Sequence, residues 1–155
     1  MIYGGYRLRY NGCEVIAAYN VLKYLGKFKP IYSVIRHAEL NDWYLFPVAP
    51  TGVLGSTPRK MKSIFNENNL KYSTYANTAS KKFEAAVKDG KICIGCYSNR
   101  AETWYYNFSI HTFAFYYNKR TKKYVVFNGY GSKEYNSYSD LRYGGRYFLY
   151  GYIFK

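Results

Sequence analysis

The stretch YNGCEVIAAYNVLKYLG, residues 10–26, combines a helical pattern with the first of three cysteines. Its apolar residues at helical spacing are Val15, Ile16, Tyr19, Leu22 and Leu25. Gly26 is a typical helix stop, and Asn11 followed three residues later by Glu14 has the spacing of a capping box. The sequence therefore predicts a helix that is capped by Asn11, with Cys13 in its first turn.

The segments after this helix, up to residue 90, are mostly helical or irregular in pattern, with one short strand. Proline is favoured at the first position of a helix, and glycine is favoured just past the last. We predict, in order, a helix from Pro30 to about Leu40, a long ordered loop over 41–57, a short helix behind Thr57 and Pro58, a strand over 71–76 and a helix over 80–90 closed by Gly90.

From Lys91 onward the pattern changes to strands. The runs KICIGCY (91–97), SIHTFAFYY (109–117), KYVVFNGY (123–130) and RYFLYGYIF (146–154) are rich in β-branched and aromatic residues. The connections NKRTKK and GYGSKEYNS are short and have turn composition, which favours antiparallel pairing. Helices first and strands last predict an α+β fold, with N-terminal helices packed on a C-terminal antiparallel sheet in a single domain over residues 1–155.

The charge of the chain is strongly positive. Lys and Arg number 23 and Asp and Glu number nine, which gives a formal net charge of +14. Such a field attracts anionic partners such as nucleic acid, teichoic acid or an acidic protein. No apolar run approaches the length of a membrane span, and the N-terminus lacks the layout of a secretory signal. We therefore expect no membrane span, and the compartment stays open.

Cys13 is the candidate nucleophile. A thiolate attacks carbonyl carbon, and the start of a helix together with a nearby histidine lowers the pKa of a thiol. Of the two histidines, His37 lies in a predicted helix and His111 in a predicted strand. Asn128 closes the next strand, and hairpin pairing brings it towards His111, where its carbonyl could orient the imidazole. The order Cys, His, Asn fits a thiol hydrolase.

Four segments taken in order carry a family resemblance. They are NGCEVIAAYNVL (11–22), GVLGSTPRKMKSIFNENNLKY (52–72), KKFEAAVKDGKICIGCY (81–97) and HTFAFYYNKRTKKYVVFNGY (111–130). Together they resemble the papain-like cysteine peptidases of the bacteriocin-leader-processing type, the peptidase domains attached to double-glycine exporters and their free-standing relatives. The resemblance covers nearly the whole chain and implies a papain-like fold.

The resemblance also implies roles for single residues. Cys13 would be the nucleophile, His111 the general base and acid, and Asn128 the orienting group. Papain-like enzymes usually carry a Gln six residues before the cysteine to bind the oxyanion; this chain has Arg7 there, and the side chain of Asn11 is a second candidate donor. Trp104, in the loop before the His111 strand, would line a substrate groove or pack on the sheet edge. No cofactor or metal is implied.

Other residues have structural interpretations. Cys93 and Cys96 form a Cys-x-x-Cys, but their spacing within a strand sends the two side chains to opposite faces, and no second pair completes four zinc ligands. We predict neither redox nor metal chemistry there. We interpret His37 as a structural or surface residue, because no cysteine or carboxylate cluster surrounds it in the sequence.

Three functions are compatible with these features. The first is a cysteine peptidase or related thiol amidase that acts on a peptide or protein substrate. The second keeps the fold but makes the chain a toxin or effector domain, which deamidates or transglutaminates a target protein and is bound by an acidic immunity partner. The third is a basic binder of nucleic acid or cell-wall polyanion without enzymatic activity, in which lysines supply charge and tyrosines supply stacking. The thiol chemistry favours the first.

Overall fold

A computed structural model describes residues 1–3, 6–43, 56–76, 81–99, 109–127, 131–142 and 148–155. By its internal contacts the chain divides into two compact units, Met1–Leu70 and Lys71–Lys155. The first unit is mainly helical and the second is built on a sheet, so the chain has the mixed α+β composition that the sequence predicts.

The first unit begins with a short hairpin and continues with helices. Its elements are β1 (Ile2–Tyr3), β2 (Tyr6–Arg7), α1 (Leu8–Asn11), α2 (Cys13–Tyr24), α3 (Ile31–Leu40), a 3₁₀ helix (Pro58–Met61) and α4 (Lys62–Glu67). Strands β1 and β2 pair antiparallel, and helix α3 contacts both α2 and α4. The predicted loop over 41–57 lies mostly outside the described residues.

Helix α2 ends where the sequence predicts. Gly26 has a φ of +71°, a left-handed conformation that favours glycine, and the amide of Lys27 donates to the carbonyl of Leu22 at 2.8 Å. The buried apolar face of α2 differs in part from the predicted one. Ile16 and Tyr19 are only half-buried, because Ala17, Ala18 and Val21 fill the buried side of this helix instead.

The second unit is a six-stranded antiparallel sheet with one helix. Its elements are β3 (Tyr72–Ala76), α5 (Lys81–Asp89), β4 (Ile92–Asn99), β5 (Ser109–Asn118), β6 (Lys123–Phe127), β7 (Ser132–Tyr135), a 3₁₀ helix (Ser139–Arg142) and β8 (Phe148–Phe154). The strand order is β3-β8-β4-β5-β6-β7, so the last strand lies between the first two strands of this unit.

One face of this sheet carries a core to which helix α5 contributes. Phe83 and Val87 of α5 are fully buried with side chains from β4, β5, β6 and β8. The sheet residues of this cluster are Cys93, Tyr97, Phe113, Phe115, Tyr124, Val126 and Ile153. Burial of this many aromatic and aliphatic side chains is the main stabilising contribution within this unit.

Two sequence predictions are wrong. Asn11 does not cap α2: Gly12 holds the N-cap position, no side chain caps the helix, and the Asn11 amide donates to the Tyr3 carbonyl instead. The segment GYGSKEYNS is more than a turn, because residues Ser132–Tyr135 form strand β7, which pairs with β6 at the sheet edge. Its charged composition hid this strand, since an edge strand can expose most of its side chains. Within the described residues, no helix has the length and apolar character to cross a bilayer.

Candidate active site

Cys13 is the first residue of α2, which runs for 12 residues. The preceding one-turn helix α1 ends at Asn11, so Gly12 alone joins the two helices. The amide of Gly12 donates to the Leu8 carbonyl at 2.8 Å, and the amide of Ile16 donates to the Gly12 carbonyl at 2.9 Å. The half-buried thiol therefore lies at the positive end of a three-turn helix, as the sequence predicts.

Gly12 is needed at this junction for steric reasons. A Cβ at position 12 would overlap the side chain of Leu8 and would lie 2.7 Å from its carbonyl oxygen. The φ of Gly12 is −100°, so the demand for glycine comes from crowding and not from backbone conformation. The close approach of α1 and α2 thus depends on the missing side chain, and it holds Cys13 at the helix start.

The Cys13 thiol has a carboxylate as its neighbour. Its Sγ donates to Glu14 Oε2 at 3.1 Å, and Glu14 is only 1% exposed. A carboxylate at this distance disfavours the thiolate, while the helix start favours it. The helix start and the Glu14 carboxyl group therefore act in opposite directions on the Cys13 thiol.

Arg7 and Asn11, the two candidate oxyanion donors, differ in environment. Arg7 ends β2 and is exposed. Asn11 is 4% exposed, and its Nδ2 donates to the carbonyl of Tyr3 at 2.9 Å, which ties α1 to β1. One of the two N–H donors of the Asn11 amide is therefore used inside the protein, so its environment fits a structural role better than contact with substrate.

His111 lies on β5 opposite Tyr97 of β4. The half-buried imidazole meets the Tyr97 ring edge to face at a centroid distance of 5.7 Å, and it stacks on Phe113 at 6.1 Å. Both aromatic rings belong to the sheet core, so the His111 ring is packed against the side of the sheet that α5 shares. Aromatic packing of this kind restricts the ring to few orientations.

The other two cysteines are unsuited to nucleophilic attack. Cys93 and Cys96 are 0% exposed, and burial raises the pKa of the Cys93 thiol far above its usual range. Cys93 belongs to the core that α5 shares, whereas Cys96 lies beside Tyr152. All three cysteines are free thiols, and the described residues contain no cluster of His, Cys, Asp or Glu that could hold a metal.

A second cluster, around His37, was not predicted. His37 Nε2 lies 2.8 Å from Ser63 Oγ, and His37 Nδ1 lies 2.7 Å from Glu67 Oε2, which are the contacts of a Ser-His-Glu triad. Ser63 Oγ also donates to the Lys60 carbonyl and accepts from Trp43 Nε1. Because its hydrogen and lone pairs are engaged, we interpret Ser63 as part of a clamp between α3 and α4.

Glu67 is the charged end of this clamp. The Lys29 ammonium, 2.6 Å from Glu67 Oε1, lowers the pKa of the Glu67 carboxyl; desolvation opposes this effect, and His37 also lowers the pKa. The sequence does not reveal this cluster, because its residues come from four segments that only the tertiary structure brings together. Its contacts support a structural interpretation of His37.

Asn128 and Trp104 lie outside the described residues. Arg7, Asn11 and Cys13 belong to the first unit and His111 to the second, so the pairing of Cys13 with His111 stays a prediction. No protein-family model matches this sequence, and no curated protein matches it. A papain-like assignment therefore depends on the sequence motifs and the placement of Cys13, and it is a proposal.

Proposed function

We propose that the chain is a papain-like thiol hydrolase, a cysteine peptidase or related amidase, in which Cys13 is the nucleophile and His111 the general base. The observation that carries the proposal is the placement of Cys13. It is the one cysteine of the three that is not fully buried, and it begins a 12-residue helix whose positive end stabilises a thiolate.

The proposed reaction balances with these two residues and water. Cys13 Sγ transfers its proton to His111 and attacks the carbonyl carbon, which forms a C–S bond. The C–N bond then breaks, and the leaving amine takes the proton from His111. Water, deprotonated by His111, attacks the thioester and releases the acid, and the proton returns to Cys13.

Glu14 sets a condition on this chemistry. Its side chain lies 3.1 Å from the Cys13 sulfur, and a negative charge on Glu14 would oppose formation of a thiolate. The imidazolium of His111 is the cation that the proposal supplies. Asn128, the residue after Phe127 in the sequence, would orient this ring, and exposed Arg7 fits the oxyanion role better than buried Asn11 does.

The two histidines provide a matched test. Each cysteine is followed by mass spectrometry during alkylation with iodoacetamide at pH 7, in the wild-type chain, in His111→Gln and in His37→Gln. We expect His111→Gln to slow alkylation of Cys13 about tenfold, the size of an effect on a catalytic thiol of roughly one pKa unit. His37→Gln should change it less than twofold. Equal rates in all three folded proteins would contradict the ion pair.

The reaction type needs a second measurement. A pool of peptides of mixed sequence is incubated with the chain and with Cys13→Ala, and products are read by mass spectrometry for cleavage, for conversion of Gln to Glu and for Gln to Lys cross-links. Cleavage that depends on Cys13 identifies a peptidase, whereas the other two products identify a deamidase or a transglutaminase. These three activities share the acyl-enzyme step.

A further inference from the structure

We infer that one end of the sheet in the second unit binds the phosphodiester backbone of nucleic acid. This inference does not depend on the proposed thiol chemistry. The antiparallel register brings to this end the start of β3, the end of β8, the start of β4 and the β5–β6 hairpin: Tyr72 and Ile92 both pair with Phe154, and Asn118 pairs with Lys123. The residues just beyond these strand ends are mostly basic.

We call these residues the basic end of the sheet. They are Lys71, Lys91, Lys119, Arg120, Lys122, Lys123 and Lys155. Six of them are exposed, and Lys123 is half-buried. Lys123 is also the one whose charge is compensated, by Glu134 at 3.0 Å. The other six form no ion pair within the described part of the chain.

The backbone holds these residues in place. The amide of Lys91 donates to the Phe154 carbonyl at 2.9 Å, and the amide of Lys155 donates to the Lys71 carbonyl at 3.2 Å. In the hairpin, Asn118 Oδ1 accepts from the amides of Arg120 and Thr121. These hydrogen bonds order the backbone from which the basic side chains project.

The spacing of the basic end suits a linear polyanion. Neighbouring strands lie about 4.8 Å apart, so the row from β3 to β6 spans about 19 Å, with at least one cation on each strand. One nucleic acid strand advances about 3.4 Å per phosphate, so such a row covers about five to six phosphates. Lysine ammonium groups bind phosphate as point charges, and the seven basic residues outnumber Asp89, two residues before Lys91 in the chain, Glu134, which pairs with Lys123, and Glu84, which contacts Tyr124.

The side chains at this end favour backbone contact over base recognition. Bases are read by bidentate Asn, Gln or Arg and by stacking on exposed aromatic rings. Here the Asn118 oxygen is used in the turn, Arg120 is the one guanidinium beside six lysines, and the nearest tyrosines, Tyr72, Tyr117 and Tyr135, are half-buried. We therefore expect binding that is sensitive to salt and indifferent to sequence.

Three pairs of substitutions, each removing two charges, test the inference in the full chain. Arg120→Gln with Lys122→Gln alters the hairpin, and Lys91→Gln with Lys155→Gln alters the neighbouring strand ends. The control, Lys81→Gln with Lys82→Gln, alters two exposed lysines at the start of α5, about 13 Å along the helix from its end next to Lys91. The binding of two fluorescent 20-base-pair duplexes of unrelated sequence is measured by anisotropy at 50, 100 and 200 mM salt.

We expect the two duplexes to bind equally, with a slope of log affinity against log salt of about −4.5, which corresponds to five phosphates. Each test pair should weaken binding at least tenfold at 100 mM salt and reduce the slope by about two, while the control pair changes binding less than threefold. Circular dichroism checks that each variant is folded.

Three results would overturn the inference. Equal losses in all three pairs would show that net charge alone matters. Absence of binding to either duplex at 50 mM salt would show that nucleic acid is not the ligand of this surface. Binding of heparin or poly-glutamate at concentrations at which neither duplex binds would assign the surface to a polysaccharide or an acidic protein.

Discussion

Replacement of Gly12 by alanine tests the link between the α1–α2 junction and the reactivity of Cys13. The added Cβ would overlap the Leu8 side chain and lie 2.7 Å from the Leu8 carbonyl oxygen, which accepts a hydrogen bond from the Gly12 amide at 2.8 Å. The side chain of Leu8 can rotate, but the carbonyl belongs to the backbone of α1, so the two helices must separate.

The magnitude follows from two opposing effects. Forced overpacking of this kind costs about 1 to 3 kcal/mol, and the lower entropy of an unfolded chain with alanine returns about 0.5 kcal/mol. We therefore expect Gly12→Ala to reduce the free energy of unfolding by about 1 to 2 kcal/mol, measured by urea denaturation with circular dichroism. We also expect alkylation of Cys13 to change rate, because the start of α2 moves.

Gly131→Ala is the matched control. No atom of the described residues lies within 4 Å of a Cβ built at position 131, so the free energy of unfolding should stay within about 0.5 kcal/mol of the wild-type value. The steric reasoning would be refuted if Gly12→Ala unfolded at the same urea concentration as the wild-type chain and its Cys13 were alkylated at the wild-type rate. Loss of stability at both positions would point instead to a general effect of losing glycine.

Further predictions concern three polar contacts. Glu14→Gln removes the carboxylate beside Cys13 and should speed alkylation of that thiol at pH 7 about tenfold, by mass spectrometry. Glu67 has a lowered pKa chiefly because of Lys29. The stabilising contribution of its carboxylate is therefore present at pH values above the usual pKa of Glu, and it is lost as the pH falls through the lowered pKa of the folded state. Glu67→Gln should therefore cost a few tenths of a kcal/mol at pH 7, after solvent screening, and nothing near pH 2 in urea denaturation. Asn118→Ala should reduce stability by about 1 kcal/mol in urea, since two turn amides lose their acceptor.

These three predictions have distinct controls and failures. Slower or unchanged alkylation in Glu14→Gln would show that the carboxylate does not suppress the thiolate. A loss of stability in Glu67→Gln that persisted unchanged at pH 2 would mean that packing, and not charge, sets its contribution. Thr121→Ala keeps the Asn118 acceptor and serves as the control for Asn118→Ala. Equal stability of the two variants would show that the Asn118 side-chain oxygen does not stabilise the fold.

Much of the local structure was predictable from sequence patterns. Helix α2 has a periodic apolar face and a terminal glycine, helix α5 ends before Gly90, and the apolar runs before and after the NKRTKK turn form β5 and β6. Such signals are local: spacing, turn chemistry and β-propensity act within about ten residues. The same rules missed β7, because the exposed charged residues of an edge strand resemble those of a loop.

Candidate chemistry was predictable only in part. The position of Cys13 at the start of a helix follows from the sequence, and the structure confirms it. The Asn11 cap was wrong, because Asn11 is the last residue of α1 and Gly12 takes the N-cap position of α2. The His37 clamp could not be predicted, since Ser63 and Glu67 approach His37 through the packing of α4 on α3.

The sequence by itself determined the composition of the molecule: a basic chain with helices before strands and a cysteine at the start of a helix. Tertiary structure decided which residues became neighbours. It inserted β8 between β3 and β4, buried Cys93 and Cys96, and gathered lysines from distant segments at one end of the sheet. The physical reason is that propensity and periodicity act over a few residues, whereas burial, register and charge proximity depend on contacts between residues far apart in the chain.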